Sequence, residues 1–141
     1  MNKNNNLQNH TRGLILYAHG SRNAAWRKPF DRLVRDLKKS GHVHAVLAFG
    51  EFMSPGVAEA AQMLAAKGVK QATIVPLFLG GGQHVRSDLP RLAAEARAAS
   101  GLKLRVARAI CEDAAVLAAI ADYCLASAAL KPPTSARRKP S

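Results

Sequence analysis

Four short apolar runs, each followed by a helical pattern, constrain the fold of this chain more than any other feature. The runs cover residues 13–18, 44–49, 72–79 and 102–107, and their length and composition are typical of buried strands. The segments that follow predict helices over about 24–39, 55–67, 87–99 and 112–128. Short connections between alternating strands and helices indicate a parallel sheet with helices on both faces. Right-handed crossovers then favour the strand order 2-1-3-4, as in a truncated flavodoxin-like sheet.

Particular residues predict where these elements begin and weaken. We interpret Ser54 as the N-cap of the second helix, with Pro55 at its first position. The third helix is expected to begin near Ser87 or Asp88. Pro76 lies inside the third run, and because proline cannot donate to a ladder, regular pairing should weaken there while the chain continues extended.

The length of 141 residues allows one domain with a proper core and is too short for two. We assign this domain to residues 13–130. Residues 131–141 hold no apolar anchor, so they are predicted to be disordered, and the same is expected of residues 1–12. We expect no secretory signal and no membrane span. Cys111 and Cys124 lack the spacing of a metal site or a disulfide scaffold, and we interpret them as small core residues in a reducing cytoplasm.

The formal net charge of +12 bounds the partners of the chain. The two terminal segments carry six basic residues and no acid, so half of the excess belongs to residues 13–130. A basic body suits an anionic partner such as nucleic acid, phosphate or a polycarboxylate, although solubility alone would explain it as well.

Three ionisable residues are predicted to lie at one edge of the sheet. His19 follows the first strand, Glu51 follows the second, and His84 lies in the loop after the third. The crevice beyond the carboxyl ends of strands 1 and 3 is where such sheets bind ligands. Two histidines at this point are either structural residues or metal ligands, and the residues alone leave both interpretations open. Glu51 could likewise cap the next helix or accept protons.

Small and polar residues beside these three could bind an anion. Gly82 ends a run of three glycines before a helix, and Ser21 and Arg22 follow a glycine after the first strand. The chain lacks the residues of a P-loop and the spacing of the dinucleotide fingerprint. It also lacks the G-x-S-x-G elbow of a serine hydrolase. Three further histidines are expected away from this edge, namely His10, His42 and His44.

Three segments of the chain carry short motifs that occur together in one known family. Residues 19–22 read HGSR, which resembles the opening motif of the CbiX and sirohydrochlorin chelatase family. Residues 48–52 read AFGEF and, with Pro55, resemble its A-F-x-E segment. The third segment is the most specific and accounts for Pro76. This segment has three parts: VPLFL at residues 75–79, GQHV at 82–85 and DLP at 88–90. They are similar to the P-x-F-L, G-x-H-V and D-[IL]-P block of the family.

The resemblance implies a class II tetrapyrrole chelatase, which inserts a divalent metal into sirohydrochlorin or a related ring and releases two protons. It implies that His19 and His84 hold the incoming metal and that Glu51 assists metal or proton handling. Cobalt, iron and nickel all accept such ligands, so the metal and the pathway, cobalamin or siroheme, stay open. No organic cofactor is expected. Residues assigned to the polycarboxylate substrate are Ser21, Arg22, Gly82 and Arg86, with Arg27 and Lys28 nearby.

One edge of a small sheet cannot enclose a flat macrocycle. Longer chelatases of this type have two facing lobes, so a homodimer is expected here, as in the short archaeal forms that the chain resembles. Two other functions stay open. One is metal or tetrapyrrole binding without turnover. The other is a nucleic-acid-binding module, which the charge alone suggests but which the lack of interleaved aromatics argues against. We expect neither a nucleic-acid nor a membrane partner.

Overall fold

The structure is a computed structural model that describes residues 12–80 and 83–128, with the backbone alone described at residues 83–86. Within these residues no helix is both long and apolar enough to cross a membrane. The predicted domain boundaries at residues 12/13 and 130/131 fall near the limits of the described chain. Arg12 already belongs to the first strand, and the predicted disorder of residues 1–11 and 131–141 concerns residues outside those that the structure describes.

The centre of the fold is a four-stranded parallel sheet in the order β2-β1-β3-β4. Its strands are β1 Arg12–Ala18, β2 His44–Phe49, β3 Gln71–Pro76 and β4 Lys103–Val106. The predicted order 2-1-3-4 is confirmed. In register, Ala18 lies opposite Phe49, and Tyr17 lies opposite Pro76. As expected, strand pairing ends at Pro76, after which the Leu77 amide donates one further hydrogen bond to the Tyr17 carbonyl at 2.8 Å.

The helices are divided between the two faces of the sheet. On one face, α1 (Lys28–Lys39) follows a 3-10 turn at Ala24–Arg27 and packs on β2. Its apolar residues cover Leu16, Leu47 and Phe49. On the other face, α2 (Val57–Ala66) and α3 (Gln83–Ser100) pack against each other and against the sheet. They bury Ile15 and Ile74 completely. Cover on both sides explains why the central strand β1 is apolar from Leu14 to Ala18.

The last helix, α4 (Ala114–Ser127), differs from the other three. It follows a second 3-10 turn at Ile110–Glu112, and its principal contact within the described residues is with that turn. Asp113 is its N-cap, because the side-chain carboxylate accepts hydrogen bonds from the Ala115 and Val116 amides at 2.9 and 3.0 Å. No residue of α4 is buried, although the helix is strongly apolar.

Two predicted helix starts are wrong. The N-cap of α2 is Gly56 and not Ser54. The Pro55 carbonyl accepts a hydrogen bond from the Phe49 amide at 2.9 Å, which ties this residue to the end of β2 and delays the helix. Helix α3 begins at Gln83, four residues before Ser87, and Pro90 lies inside it. The helix continues through this proline because its face from Leu89 onward is buried against the core.

The prediction that both cysteines are core residues is also wrong. Cys111 is half-buried in the turn before α4, and Cys124 is exposed on α4 itself. Both cysteines lie where the described chain leaves α4 without a buried residue, so neither reaches the core.

Candidate functional site

His19 lies at the carboxyl edge of the sheet, directly after β1, as predicted. The imidazole is exposed. Its ring makes an edge contact with Phe78, with the ring centroids 5.9 Å apart. Phe78 is itself buried and follows β3. The strand order therefore brings the first and third loops together at this histidine, which is the geometry expected of a switch point.

Glu51 is held beside His19 through the backbone. The Gly50 amide donates to the Ala18 carbonyl, and the Glu51 amide donates to the His19 carbonyl, each at 3.0 Å. The β1–β2 pairing thus extends one residue beyond β1 and two residues beyond β2. The predicted neighbourhood of His19 and Glu51 is present, with both side chains exposed. No described side-chain cap links Glu51 to α2, whose N-cap is Gly56.

Gly20 permits this close approach of the two loops. Its φ of +95° lies in the left-handed region that favours glycine. A Cβ at this position would lie only 1.8 Å from the Glu51 carbonyl oxygen. The second residue of the HGSR segment is therefore required by sterics, because any side chain would push the two loops apart.

Tyr17 is a site residue that the sequence analysis missed. Its ring is buried and packs edge-on against Phe78, with centroids 5.4 Å apart. Burial, and to a lesser degree the nearby carboxylates of Asp88 and Glu51, raise the pKa of the Tyr17 hydroxyl above its ordinary value of 10.0. A Cβ at Gly50 would lie 2.7 Å from the same hydroxyl oxygen, so that glycine leaves room for it. The sequence feature that could have identified Tyr17 as a site residue is a tyrosine two positions before His19 in an otherwise aliphatic strand.

In the loop after His19, the side chains of Ser21 and Arg22 contact other residues of the protein and do not form an anion-binding loop. The Ser21 hydroxyl oxygen accepts a hydrogen bond from the Asn23 amide at 3.0 Å, and the Asn23 side chain in turn caps the 3-10 turn. The Arg22 guanidinium lies 4.8 Å from the ring centroid of Phe52. This cation–π pair presents a positive charge and an exposed aromatic face at the same edge.

Arg27, which we expected near the substrate, is engaged with the protein. Its guanidinium lies 5.0 Å from the ring centroid of Phe49 and forms an ion pair with Asp31 at 3.1 Å. Lys28 is exposed at the start of α1. Arg22 is therefore the arginine that the described structure places beside His19 with a surface-directed charge.

The remaining predicted site residues lie in or beside the first turn of α3. The backbone of His84 and Arg86 belongs to this helix, which follows β3 at the same edge of the sheet. Their side chains, and the whole of Gly82, lie outside what the structure describes. Among the described side chains, no group of three or more histidine, cysteine or acidic residues could hold a metal ion. The pairing of His19 with His84 stays a prediction.

An apolar cavity of about 260 Å³ adjoins Phe78 at this edge. It lies beyond the carboxyl ends of β3 and β4, between α3 and the turn before α4. Its lining includes Pro76, Leu89, Val106 and Cys111, with Arg108 and Glu112 as charged residues. This cavity lies on the β4 side of the expected crevice between β1 and β3.

Comparison with solved structures defines the class of the protein as a chelatase-like α/β lobe. The crystal structure of the CbiX protein from Marinobacter aquaeolei VT8 superposes with a TM-score of 0.74 at 31% identity, covering 84% of this chain and 98% of that one. The sirohydrochlorin chelatase SirB from Bacillus subtilis subspecies spizizenii, solved in complex with cobalt, superposes with a TM-score of 0.69 at 18% identity. It shows the fold alone, and this chain covers half of it.

The sequence comparisons agree with this class. The CbiX family profile matches residues 13–125. The sirohydrochlorin cobaltochelatase of Sulfurisphaera tokodaii is 32% identical over 101 residues, which are 72% of this chain and 81% of that one. The enzyme of the same description from Saccharolobus solfataricus is 35% identical over 82 residues, and that match spans 62% of its length. The chain belongs to the CbiX family, and the resemblance drawn from its motifs is confirmed.

Proposed function

We propose that this chain is a chelatase that inserts cobalt into sirohydrochlorin. The observation that carries the proposal is the hydrogen bond between the Glu51 amide and the His19 carbonyl, which makes the backbones of a histidine and a glutamate neighbours at the edge of the sheet. The names of the relatives support this substrate and this metal. Iron and nickel suit the same donor atoms and stay alternatives.

The reaction requires the ring to lose two pyrrole protons while the metal ion loses water and enters. In our proposal His19 and His84 bind the incoming ion through neutral imidazole nitrogens, which hold such ions without a negative charge. Glu51 accepts the departing protons, since its side chain is exposed and its backbone is hydrogen-bonded to that of His19. No organic cofactor takes part.

The polycarboxylate rim of the substrate is bound by basic and polar residues around the edge. Arg22 has a surface-directed guanidinium beside Phe52, whose exposed ring suits the flat macrocycle. Ser21, Gly82 and Arg86 complete the proposed contacts.

We further propose that the site is closed by a second copy of the chain. The apolar cavity of about 260 Å³ falls below the 300–1,000 Å³ or so that is usual for sites of drug-sized ligands. Two large apolar residues at the same edge, Phe52 and Leu79, are 60% and 61% exposed. A two-fold homodimer would bring two such edges to a common cavity, with two histidines from each subunit.

Cobalt insertion into sirohydrochlorin, followed by the absorbance change of the ring, tests the proposal. His19→Ala and His84→Ala should each lower the insertion rate by about 100-fold or more, because changes to mere supporting residues of a metal site already cost 10- to 100-fold. His44→Ala is the matched control, since His44 lies at the opposite end of β2 and should retain wild-type turnover. Cobalt or sirohydrochlorin binding without any metallated product would instead establish the non-catalytic binding role.

A further inference from the structure

We infer that Phe78 is a positioning residue for His19. It orients the imidazole through a ring contact, where most metal-binding histidines are oriented by a hydrogen bond. The inference rests on the proposed role of His19 as a ligand of the incoming metal. It goes beyond that role, because it identifies the side chain that prepares the imidazole to receive the ion.

The His19 imidazole lacks the partner that usually orients a metal ligand. A metal-binding histidine normally donates its second ring N–H to a carboxylate, a carbonyl or water, which fixes the ring and raises its basicity. Among the residues that the structure describes, none forms a hydrogen bond with this imidazole, and Glu51 is bonded to His19 through the backbone. The described contact of the ring is instead with Phe78, with centroids 5.9 Å apart and ring planes at 75°.

Phe78 is itself fixed and can therefore restrain a neighbouring ring. It is 7% exposed and belongs to the main buried cluster. Tyr17 packs on it at nearly a right angle, with centroids 5.4 Å apart and ring planes at 88°. The Leu77 amide donates to the Tyr17 carbonyl at 2.8 Å, which ties the backbone next to Phe78 to β1 two residues before His19. The exposed imidazole thus lies against a side chain that is buried on its other sides.

A ring contact suits a metal ion that has to leave the protein. A carboxylate hydrogen-bonded to an imidazole raises the basicity of the ligand and strengthens its bond to the metal. An aromatic edge contact favours one orientation of the ring without a hydrogen-bonded negative charge. Because the ion is a substrate in the proposed reaction, an imidazole oriented in this way can bind the ion and then release it to the macrocycle.

The size of the effect follows from the strength of such a contact. An aromatic pair in edge geometry shifts an equilibrium between orientations by about two- to tenfold. The apparent dissociation constant of a ligand rises as the binding-competent conformation becomes less populated. Loss of the Phe78 ring should therefore raise the dissociation constant of cobalt by about two- to tenfold.

Phe78→Leu tests the inference, with Co²⁺ alone as the probe and no tetrapyrrole present. Leucine keeps an apolar side chain in the buried cluster and removes the ring. Isothermal titration calorimetry should show the rise in the cobalt dissociation constant given above. The matched control is Leu104→Val, which should leave that constant unaltered, since Leu104 belongs to the same cluster and is likewise 7% exposed. Circular dichroism melting establishes that each variant is folded, and Phe78→Met replaces Phe78→Leu if the latter is not.

A double-mutant cycle with His19→Ala separates positioning from a general effect on the core. If Phe78 acts on cobalt binding through His19, Phe78→Leu should have no further effect once the imidazole is absent. An equal effect of Phe78→Leu with and without His19 would show that Phe78 influences the metal by another route, which overturns the inference.

Nuclear magnetic resonance of the metal-free protein gives a second readout. The imidazole proton signals of His19 can be identified by their absence in His19→Ala. They should shift in Phe78→Leu, because the ring current of Phe78 is lost, and should keep their positions in Leu104→Val. Signals that keep their positions in Phe78→Leu would show that the two rings are not in contact in solution, which also overturns the inference.

The outcomes separate this inference from the proposed function. Unchanged cobalt affinity in Phe78→Leu would overturn the positioning role and leave cobalt insertion untouched. Coupling between Phe78 and His19 in a protein that inserts no cobalt would support the positioning role and contradict the proposed chelatase. Unchanged cobalt affinity in His19→Ala would contradict the proposed ligand and overturn the positioning role with it.

Discussion

Replacing Gly20 with alanine should destabilise the protein and disturb the site at the same time. The added methyl group would lie 1.8 Å from the Glu51 carbonyl oxygen, so the β1 and β2 loops must separate. Gly68→Ala is the matched control. Gly68 has a similar φ of +84°, but nothing lies within 4 Å of its added Cβ. The two variants share the backbone strain and differ in the clash.

The expected magnitudes follow from these two contributions. Alanine in a left-handed conformation costs about 1–2 kcal/mol, part of which is offset by the lower entropy of the unfolded alanine chain. Gly68→Ala should therefore lower the free energy of unfolding by about 1 kcal/mol. Gly20→Ala should additionally weaken two backbone hydrogen bonds of Glu51. In one the Glu51 amide donates to the His19 carbonyl, and in the other the Glu51 carbonyl accepts from the Met53 amide. At about 1 kcal/mol each, the total becomes about 3 kcal/mol.

Thermal unfolding followed by circular dichroism measures this difference. At about 4 °C per kcal/mol for a domain of this size, Tm should fall by about 4 °C for Gly68→Ala and about 12 °C for Gly20→Ala. At a temperature where both variants are folded, only Gly20→Ala should also slow cobalt insertion, since it displaces His19 and Glu51. Equal Tm shifts for the two variants would refute the close approach of the loops.

Two further predictions concern ionisation and the tail. Burial raises the pKa of Tyr17 in the folded protein, so the Tyr17 phenol ionises in the unfolded chain before it ionises in the folded one. Its contribution to the free energy of unfolding is therefore complete below pH 10.0 and is lost as the pH rises through the folded pKa. In a near-ultraviolet titration the chain should show a phenol ionisation above pH 10.0 that Tyr17→Phe abolishes; a titration curve that the substitution leaves unchanged above that pH would contradict this. Removal of residues 131–141 should leave Tm unchanged, since they contain no apolar anchor, and a drop of several degrees would show that they dock on the body.

Local pattern was sufficient for the element order and most of the candidate site. Apolar runs and helical spacing depend on neighbouring residues, and the handedness of crossovers then leaves few sheet orders to consider. His19 and Glu51 were predictable because any residue after a parallel strand lies at the carboxyl edge. The helix starts at Gly56 and Gln83 were missed, since they depend on a hydrogen bond to β2 and on burial against the core.

Other features depend on contacts between segments distant in the chain. Tyr17 belongs to an apolar strand in the sequence pattern, and only the positions of Phe78, Glu51 and Asp88 around it make it part of the site. The requirement for glycine at position 20 exists only because a residue thirty-one positions later approaches its backbone.

The sequence by itself determined the alternation of strands and helices, the strand order and the family, because each follows from local periodicity or from short motifs. The tertiary structure alone decided that α4, among the residues described, has no buried residue. An apolar helix has the same sequence pattern whether it packs on its own sheet or on another copy, since the hydrophobic effect depends on the area removed from water and not on which chain removes it.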